Sequence, residues 1–357
     1  VVATQTFNPA STPELSPGSL VTLAMQVPTA VTGVGRHTWQ LDLTIHLSGG
    51  GTATATTSGH TFAVENDAGP YGAGWSFAGV DRLYTIAASG GLPAGVLRVF
   101  GSGGWRFYED NGSGGYTSPA EDNGILAAVG GGGWTYTTPE GTVTTFNAAG
   151  LQTGWTSTDG FETLAFTYGS GGELASMTAI DGAVTTFGYT SGKLSSISTT
   201  SGRSYSVSVN GSGDLASITN PDAAVRTFGY TSHRLTSDAL AGITSTWGYD
   251  ATSGTLRTLQ AGSGGITTVI AAATRGLVTL HRGQATAQIT DPLGRVTRTQ
   301  LDDRGRAVQT RTADGGLWKW TRDAAGRVTT ATDALGYNTF YVRDAQGYVT
   351  LETLPGG

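Results

Sequence analysis

The chain contains no cysteine, which excludes disulfides, thiolate metal sites and a cysteine nucleophile. Charge is scarce: 13% of residues are charged, lysine occurs only as Lys193 and Lys319, and the net charge is -6 with a pI near 5.3. That balance lacks the basic footprint with which proteins neutralise phosphate, so nucleic acid is not expected as a partner. No apolar run approaches the roughly 18 residues of a membrane-spanning helix. The opening Val1-Val-Ala-Thr-Gln-Thr has neither the charged nor the apolar part of a signal peptide. A soluble chain is expected, one from which a leader could already have been removed.

Catalytic constellations are missing as well. The five histidines, His37, His46, His60, His233 and His281, are scattered without the spacing of a metal or acid/base motif, and surface or turn roles are expected for them. No Gly-x-Ser-x-Gly elbow occurs. The glycine runs Gly101–Gly104 and Gly130–Gly133 lead into Trp105 and Trp134, not into a phosphate-binding helix. Asp291, Asp302, Asp303, Asp314, Asp323, Asp333 and Asp344 recur regularly but without a calcium-loop pattern, so capping of turns is the favoured role. The expectation is no enzyme activity, no cofactor and no metal.

What the chain has in abundance is glycine, at 56 residues, with Thr, Ser and Ala around it and aromatics at 9%. This suits many short strands joined by tight turns. A period of 20 to 21 residues organises them: Leu174, Leu194, Leu215, Leu235, Leu256 and Leu277 follow successive turns, and a second apolar position comes three residues later, with Asp238 as the exception. Ahead of the turns stand aromatic pairs two residues apart, Phe166/Tyr168, Phe187/Tyr189, Phe228/Tyr230 and Trp247/Tyr249, a spacing that puts both rings on one face of a strand. Twenty residues accommodate two strands and two turns, so each unit is a β-hairpin step that buries its apolar face only against its neighbours.

From Asp291 the period continues as Asp-x-x-Gly, with Gly305, Gly326 and Gly347 interleaved with Gly294, Gly315 and Gly336. Asp302, Asp323 and Asp344 are placed to accept backbone N–H bonds at a turn, and each glycine supplies positive φ. Near the start, Trp39, Leu41, Leu43, Ile45 and Leu47 alternate with polar residues, which predicts a strand with one buried face. Together with Leu20–Val27 and Thr61–Glu65 it predicts a small sandwich-like cap that blunts the first edge of the array. A join or enlarged hairpin is expected between Gly265 and Gly294.

Three stretches carry a family resemblance: Gly69–Tyr84, GPYGAGWSFAGVDRLY; Glu140–Leu174, with its Thr-Phe, Asn, Gly-x-Leu and Tyr; and the Asp-x-x-Gly-Arg-Val series at Asp291–Val296 and Asp323–Val328. Over roughly residues 69 to 357 the chain resembles the RHS/YD-repeat family. The resemblance implies a long β-sheet spiralling into a hollow shell, as in bacterial toxin complexes, polymorphic toxins and teneurins. The Tyr-Asp pair itself survives only as Tyr249-Asp250; Leu301-Asp302, Arg322-Asp323 and Arg343-Asp344 stand in its place later. No self-cleaving aspartyl segment is present, so neither autoproteolysis nor cargo release by this chain is expected.

The expected fold is thus all-β: antiparallel hairpin repeats of about 20–21 residues in a spiralling, shell-like sheet. The expected layout is a β cap or sandwich-like domain at 1–68, an RHS-type opening region at 69–133, YD-like hairpins at 134–290 and Asp-x-x-Gly-Arg repeats at 291–357. The expected function is a non-enzymatic scaffold of a secreted or cell-surface bacterial protein, as shell wall or self-assembling fibre or sheath. Its partners would be further copies or further repeats met through sheet edges. Two alternatives stand beside it: the encapsulating part of a larger toxin, and an adhesin or carbohydrate-binding module. The latter would use Trp318, Trp320, Phe340 and Tyr341 as an aromatic surface for a glycan or another subunit.

Overall fold

The computed structural model describes residues 4, 6, 33–64, 66–120, 122–251, 253–272, 286–302, 304–344 and 347–356. The architecture is all-β, with 28 antiparallel strands among those residues. Two compact units divide the chain, one of Val31–Leu215 and one built on Ala216–Gly357.

The first unit opens with a long hairpin, β1 (Gly35–His46) and β2 (Thr52–Ala63), in unbroken register from Gly35 opposite Ala63 to His46 opposite Thr52. A four-stranded sheet follows: β3 (Arg82–Ile86), β4 (Gly95–Val99), β5 (Trp105–Asp110) and β6 (Tyr116–Thr117). The repeats then begin with β7 (Ile125–Ala128), β8 (Trp134–Thr137), β9 (Val143–Phe146), β10 (Gln152–Thr156) and β11 (Thr163–Tyr168). They continue through β12 (Leu174–Ala179), β13 (Val184–Thr190), β14 (Lys193–Thr199) and β15 (Ser204–Val209), each antiparallel to the strand before it. Strand β16 (Leu215–Thr219) starts at the division.

The second unit carries β17 (Val225–Thr231), β18 (Arg234–Leu240), β19 (Ile243–Tyr249), β20 (Leu256–Gln260) and β21 (Ile266–Ile270). After these come β22 (Thr286–Thr290), β23 (Val296–Leu301), β24 (Ala307–Arg311), β25 (Leu317–Arg322), β26 (Val328–Thr332), β27 (Asn338–Arg343) and β28 (Val349–Thr353). Strands β21 and β22 pair directly, Thr268 with Thr290, so the long stretch after Gly265 is an enlarged hairpin. Leu277 and His281 lie outside the described residues.

The turns explain why the sequence repeats itself. GYTSGKL and GYTSHRL both close on two residues with positive φ, Ser191 and Gly192 in one and Ser232 and His233 in the other, the backbone of a tight hairpin whose twist matches the flanking strands. His233 occupies a conformation glycine adopts freely. In the Asp-x-x-Gly series the aspartate folds the turn around itself: Asp291 Oδ1 accepts the amides of Leu293 and Arg295 at 2.9 Å each, while Gly294 N–H donates to the Asp291 carbonyl. Gly294, Gly305, Gly315, Gly326, Gly336 and Gly347 all have φ between 76 and 101°.

The core of the first unit gathers Leu83, Val96, Tyr108, Leu126, Trp134, Tyr136 and Phe146 between the four-stranded sheet and the first repeats. Farther along, Phe166, Leu174, Phe187, Leu194 and Leu215 are buried on the repeat face. In the second unit Phe228 is buried, whereas Leu235, Trp247 and Leu256 are half-buried.

One expectation is corrected. The strand at 39–47 alternates as read, but its apolar face is not buried: Trp39, Leu41, Leu43, Ile45 and Leu47 are 38–54% exposed. Among the described residues β1 pairs only with β2, and a two-stranded ribbon has no second layer to cover that face. Among the described residues its base is packed, where Phe62 joins Ile86 and Leu97.

Candidate functional site

Among the described residues, four groups of polar side chains and backbone hold strands together. The first is a tyrosine latch. In the repeats a register shift precedes the second aromatic residue, at Thr167/Tyr168, Gly188/Tyr189 and Gly248/Tyr249. The shift aims each phenol back along the array. Tyr168 Oη donates to the Gln152 carbonyl at 2.7 Å, Tyr189 Oη to that of Leu174 at 2.8 Å, and Tyr249 Oη to that of Leu235 at 2.8 Å. Burial raises the pKa of Tyr168 and Tyr189 above the ordinary phenol value, so both are neutral donors.

Arginine takes over this role where the Tyr-Asp pair is lost. Arg322 follows the same kind of register shift, and its Nη2 donates to the Ala307 carbonyl at 3.2 Å while Nη1 donates to that of Gly326 at 3.2 Å. Arg343 makes the matching contact to the Gly347 carbonyl at 3.0 Å. The sequence exhibited the replacement; the shared task emerges only from the geometry.

The second group is the set of turn aspartates. Asp291, Asp302 and Asp323 each bind the Nε of the arginine four residues on, at 2.6, 2.8 and 2.8 Å. The three carboxyl pKa values are lowered. For Asp291 and Asp323 the amide of that arginine is the leading cause; for Asp302 burial pushes upward and the hydrogen bonds outweigh it. Asp344 accepts the Tyr348 amide at 2.8 Å. Among the described residues no three His, Asp or Glu side chains gather as a metal site.

Third is a buried polar cluster that the sequence did not announce. Asp122, 6% exposed, accepts hydrogen bonds from the hydroxyls of Tyr108 and Tyr136 and from Gly124 N, and forms an ion pair with Arg106 Nη1 at 3.0 Å. Burial raises the Asp122 pKa, but the four donors outweigh it and the net shift is downward. Alongside, Arg98 Nε and Nη2 reach Asp81 Oδ2 at 2.9 and 2.6 Å, and the guanidinium lies 3.9 Å from the Tyr136 ring centroid. Both carboxylates here are enclosed and matched, which suits a fastener.

The fourth group is the strap Gly69–Tyr84. Its Pro70 carbonyl accepts Leu194 N–H at 2.8 Å, Ala73 N–H donates to the Gly213 carbonyl at 2.8 Å, and Lys193 Nζ reaches the Gly69 carbonyl at 2.8 Å. Phe77 meets Phe187 edge to face, with centroids 5.1 Å apart. Gly72 has φ of 108°, and a Cβ there would come within 2.7 Å of Leu215 N. One segment thereby ties together two successive hairpins that lie more than a hundred residues farther along the chain.

The exception at Asp238 is resolved across the strand pair. Asp238 is held by Arg226, Nε to Oδ1 at 2.7 Å and Nη2 to Oδ2 at 2.5 Å, and these bonds lower its pKa. The aromatic surface divides between two faces. Trp320 lies opposite Ala331, which lies opposite Thr339, whereas Phe340 lies opposite Thr330. Trp318, Trp320 and Tyr341 therefore share one face, and Phe340 belongs to the other. Trp318 and Phe340 are 40% and 47% exposed, whereas Trp320 and Tyr341 are half-buried.

No family profile matches the chain, and no curated protein matches it in sequence. In structure it is similar to the Photorhabdus luminescens Tc holotoxin pore, at 12% identity and a TM-score of 0.45 over 73% of this chain and 15% of that one. It is also similar to TcdB2-TccC3 without its hypervariable C-terminal region, at 10% identity and a TM-score of 0.34 over 70% of this chain and 15% of that one. TcdB2-TccC3-TEV matches at 12% identity and a TM-score of 0.31, over 74% and 20%. The chain spans a fifth or less of the length of these structures. These three structures are of Tc toxin proteins.

Proposed function

We propose that the chain is a non-enzymatic scaffold: a stretch of β wall, working outside the cell as part of a shell or of a self-assembling fibre or sheath. The observation that supports this is the use made of its reactive groups. Tyrosines latch one hairpin to the previous one, aspartates close turns, and the Asp122 cluster and the strap Gly69–Tyr84 fasten the first repeats. An active site needs an acid, base or nucleophile poised beside open space; the tyrosines, turn aspartates and Asp122 cluster described above are spent on backbone and on one another.

The test is a paired one. Purified chain is screened against hydrolase substrates and imaged by negative-stain electron microscopy. Closed particles or filaments without turnover support the scaffold. Reproducible turnover abolished by replacing one carboxylate overturns it. Partner strands of the same chain, or further repeats met through sheet edges, belong to this reading.

A further inference from the structure

One face of the second unit's sheet carries a row of exposed cations and amides. On one face of β23 and β24, Arg298 lies directly opposite Arg311, and two residues along each strand Gln300 lies opposite Gln309. Gln309 in turn faces Lys319 on β25, and the row runs on through Thr332 to Asn338. Arg298, Arg311, Lys319 and Asn338 are exposed. Like charges directly opposite each other weaken a strand pair, so this arrangement costs stability in the isolated fold.

Among the described residues no carboxylate offsets that cost. Strands β22 to β27 contain no aspartate or glutamate. The acids at their turns are already engaged: Asp291, Asp302 and Asp323 with their arginines, Asp314 with Thr312 and Gly316, and Asp333 with the amides of Leu335 and Tyr337. Among the described residues Arg311 has only the Gly315 carbonyl, at 3.3 Å, and no ion pair joins Arg298 or Lys319 to a carboxylate.

We infer that this face is a docking surface for an acidic polysaccharide, one carrying carboxylates such as a uronate polymer. The charge is complementary, and the two guanidiniums present planar forks suited to carboxylates. Adjacent strands lie about 4.8 Å apart, so the cations are stepped across the sheet where a chain with one acid per sugar would meet them in turn. The amides of Gln300, Gln309 and Asn338 supply donors and acceptors for ring hydroxyls. Three cations on a chain of net charge -6 make a poor phosphate track, which sets nucleic acid aside. The inference goes beyond the scaffold reading and does not depend on it.

The experiment titrates the chain with polygalacturonate, alginate and hyaluronate by calorimetry, beside carboxyl-reduced polygalacturonate, poly-glutamate and single-stranded DNA. The Arg298→Gln/Arg311→Gln double variant is run in parallel, with circular dichroism to confirm that it is folded. Expected are binding of at least one acidic glycan, loss of about tenfold in affinity for the double variant, and severalfold weakening between about 50 mM and about 300 mM NaCl. Lys319→Gln is expected to give a smaller loss of the same kind. Binding to none of the acidic glycans, equal binding of the carboxyl-reduced polymer, equal or tighter binding of poly-glutamate or DNA, or unchanged affinity in the folded double variant would each overturn it.

Discussion

The two units are built from the same hairpin and stabilised differently. Among the described residues, Phe228 is the one buried apolar side chain after Leu215, while the first unit holds the cluster from Leu83 to Phe146 and, farther along, buried Phe166, Leu174, Phe187 and Leu194. The second unit relies on strand ladders, aspartate-closed turns, Asp–Arg pairs and half-buried Trp247, Trp320 and Tyr341. A repeat can therefore be specified by turn chemistry and register once a packed beginning exists; it does not have to carry a core of its own.

The sharpest way to break this comparison is to cut one large side chain from each unit. Leu126→Ala, at a residue 1% exposed, is expected to cost about 3–5 kcal/mol. Trp320→Ala in the second unit is expected to cost about 1–2 kcal/mol, because a half-exposed ring keeps only part of its apolar area out of water. Urea denaturation of both variants measures the difference, and equal losses would dissolve the distinction. Gly72→Ala comes next, at about 2–4 kcal/mol, since the added methyl meets Leu215 while the backbone sits at positive φ. Faster proteolysis of the strap is its readout.

Smaller effects sharpen the picture. Asp302→Ala is expected to speed amide exchange at Arg304 and Arg306 severalfold while leaving the first unit unchanged, because those amides lose their acceptor. Acid affects both units. The lowered carboxyl pKa values of Asp122, Asp291, Asp302 and Asp323 mean that their stabilisation is complete above the unfolded value of about 3.9 and is lost as pH falls through the lower folded values. A melting temperature that holds from neutrality to about pH 5 and drops below about pH 4 is the expected profile. Least of all, Ala223 has φ of 65° where sister turns have glycine, so Ala223→Gly should gain about 0.5–1 kcal/mol.

The period, the all-β class and the turn positions were legible because they depend on local chemistry that recurs every 20 to 21 residues. The functions of Arg322 and Arg343 were not, since a guanidinium and a phenol look unrelated until both are seen donating to backbone after a register shift. That same kind of shift, at Val342/Arg343, belongs to a strand on which the adjacent residues Phe340 and Tyr341 face opposite ways, and only register told which of them joins Trp320. The Asp122 cluster left no trace in sequence because its members stand 14 to 16 residues apart in no motif. The bare apolar face of β1 followed the alternation rule for its pattern but not for its environment, which depends on what packs above it.

The latch has a direction. Each tyrosine reaches toward a carbonyl made earlier in the chain, Tyr189 to Leu174 and Tyr249 to Leu235. Synthesis from the N-terminus therefore presents every new hairpin with an acceptor that already exists, and the array can close behind the ribosome like a zip. Either trimming bares a strand edge, but at the latch itself trimming from the C-terminal side frees a carbonyl, which tolerates one missing partner, whereas trimming from the other side strands a phenolic donor. An array wired this way is tolerant of shortening at one end and fragile at the other.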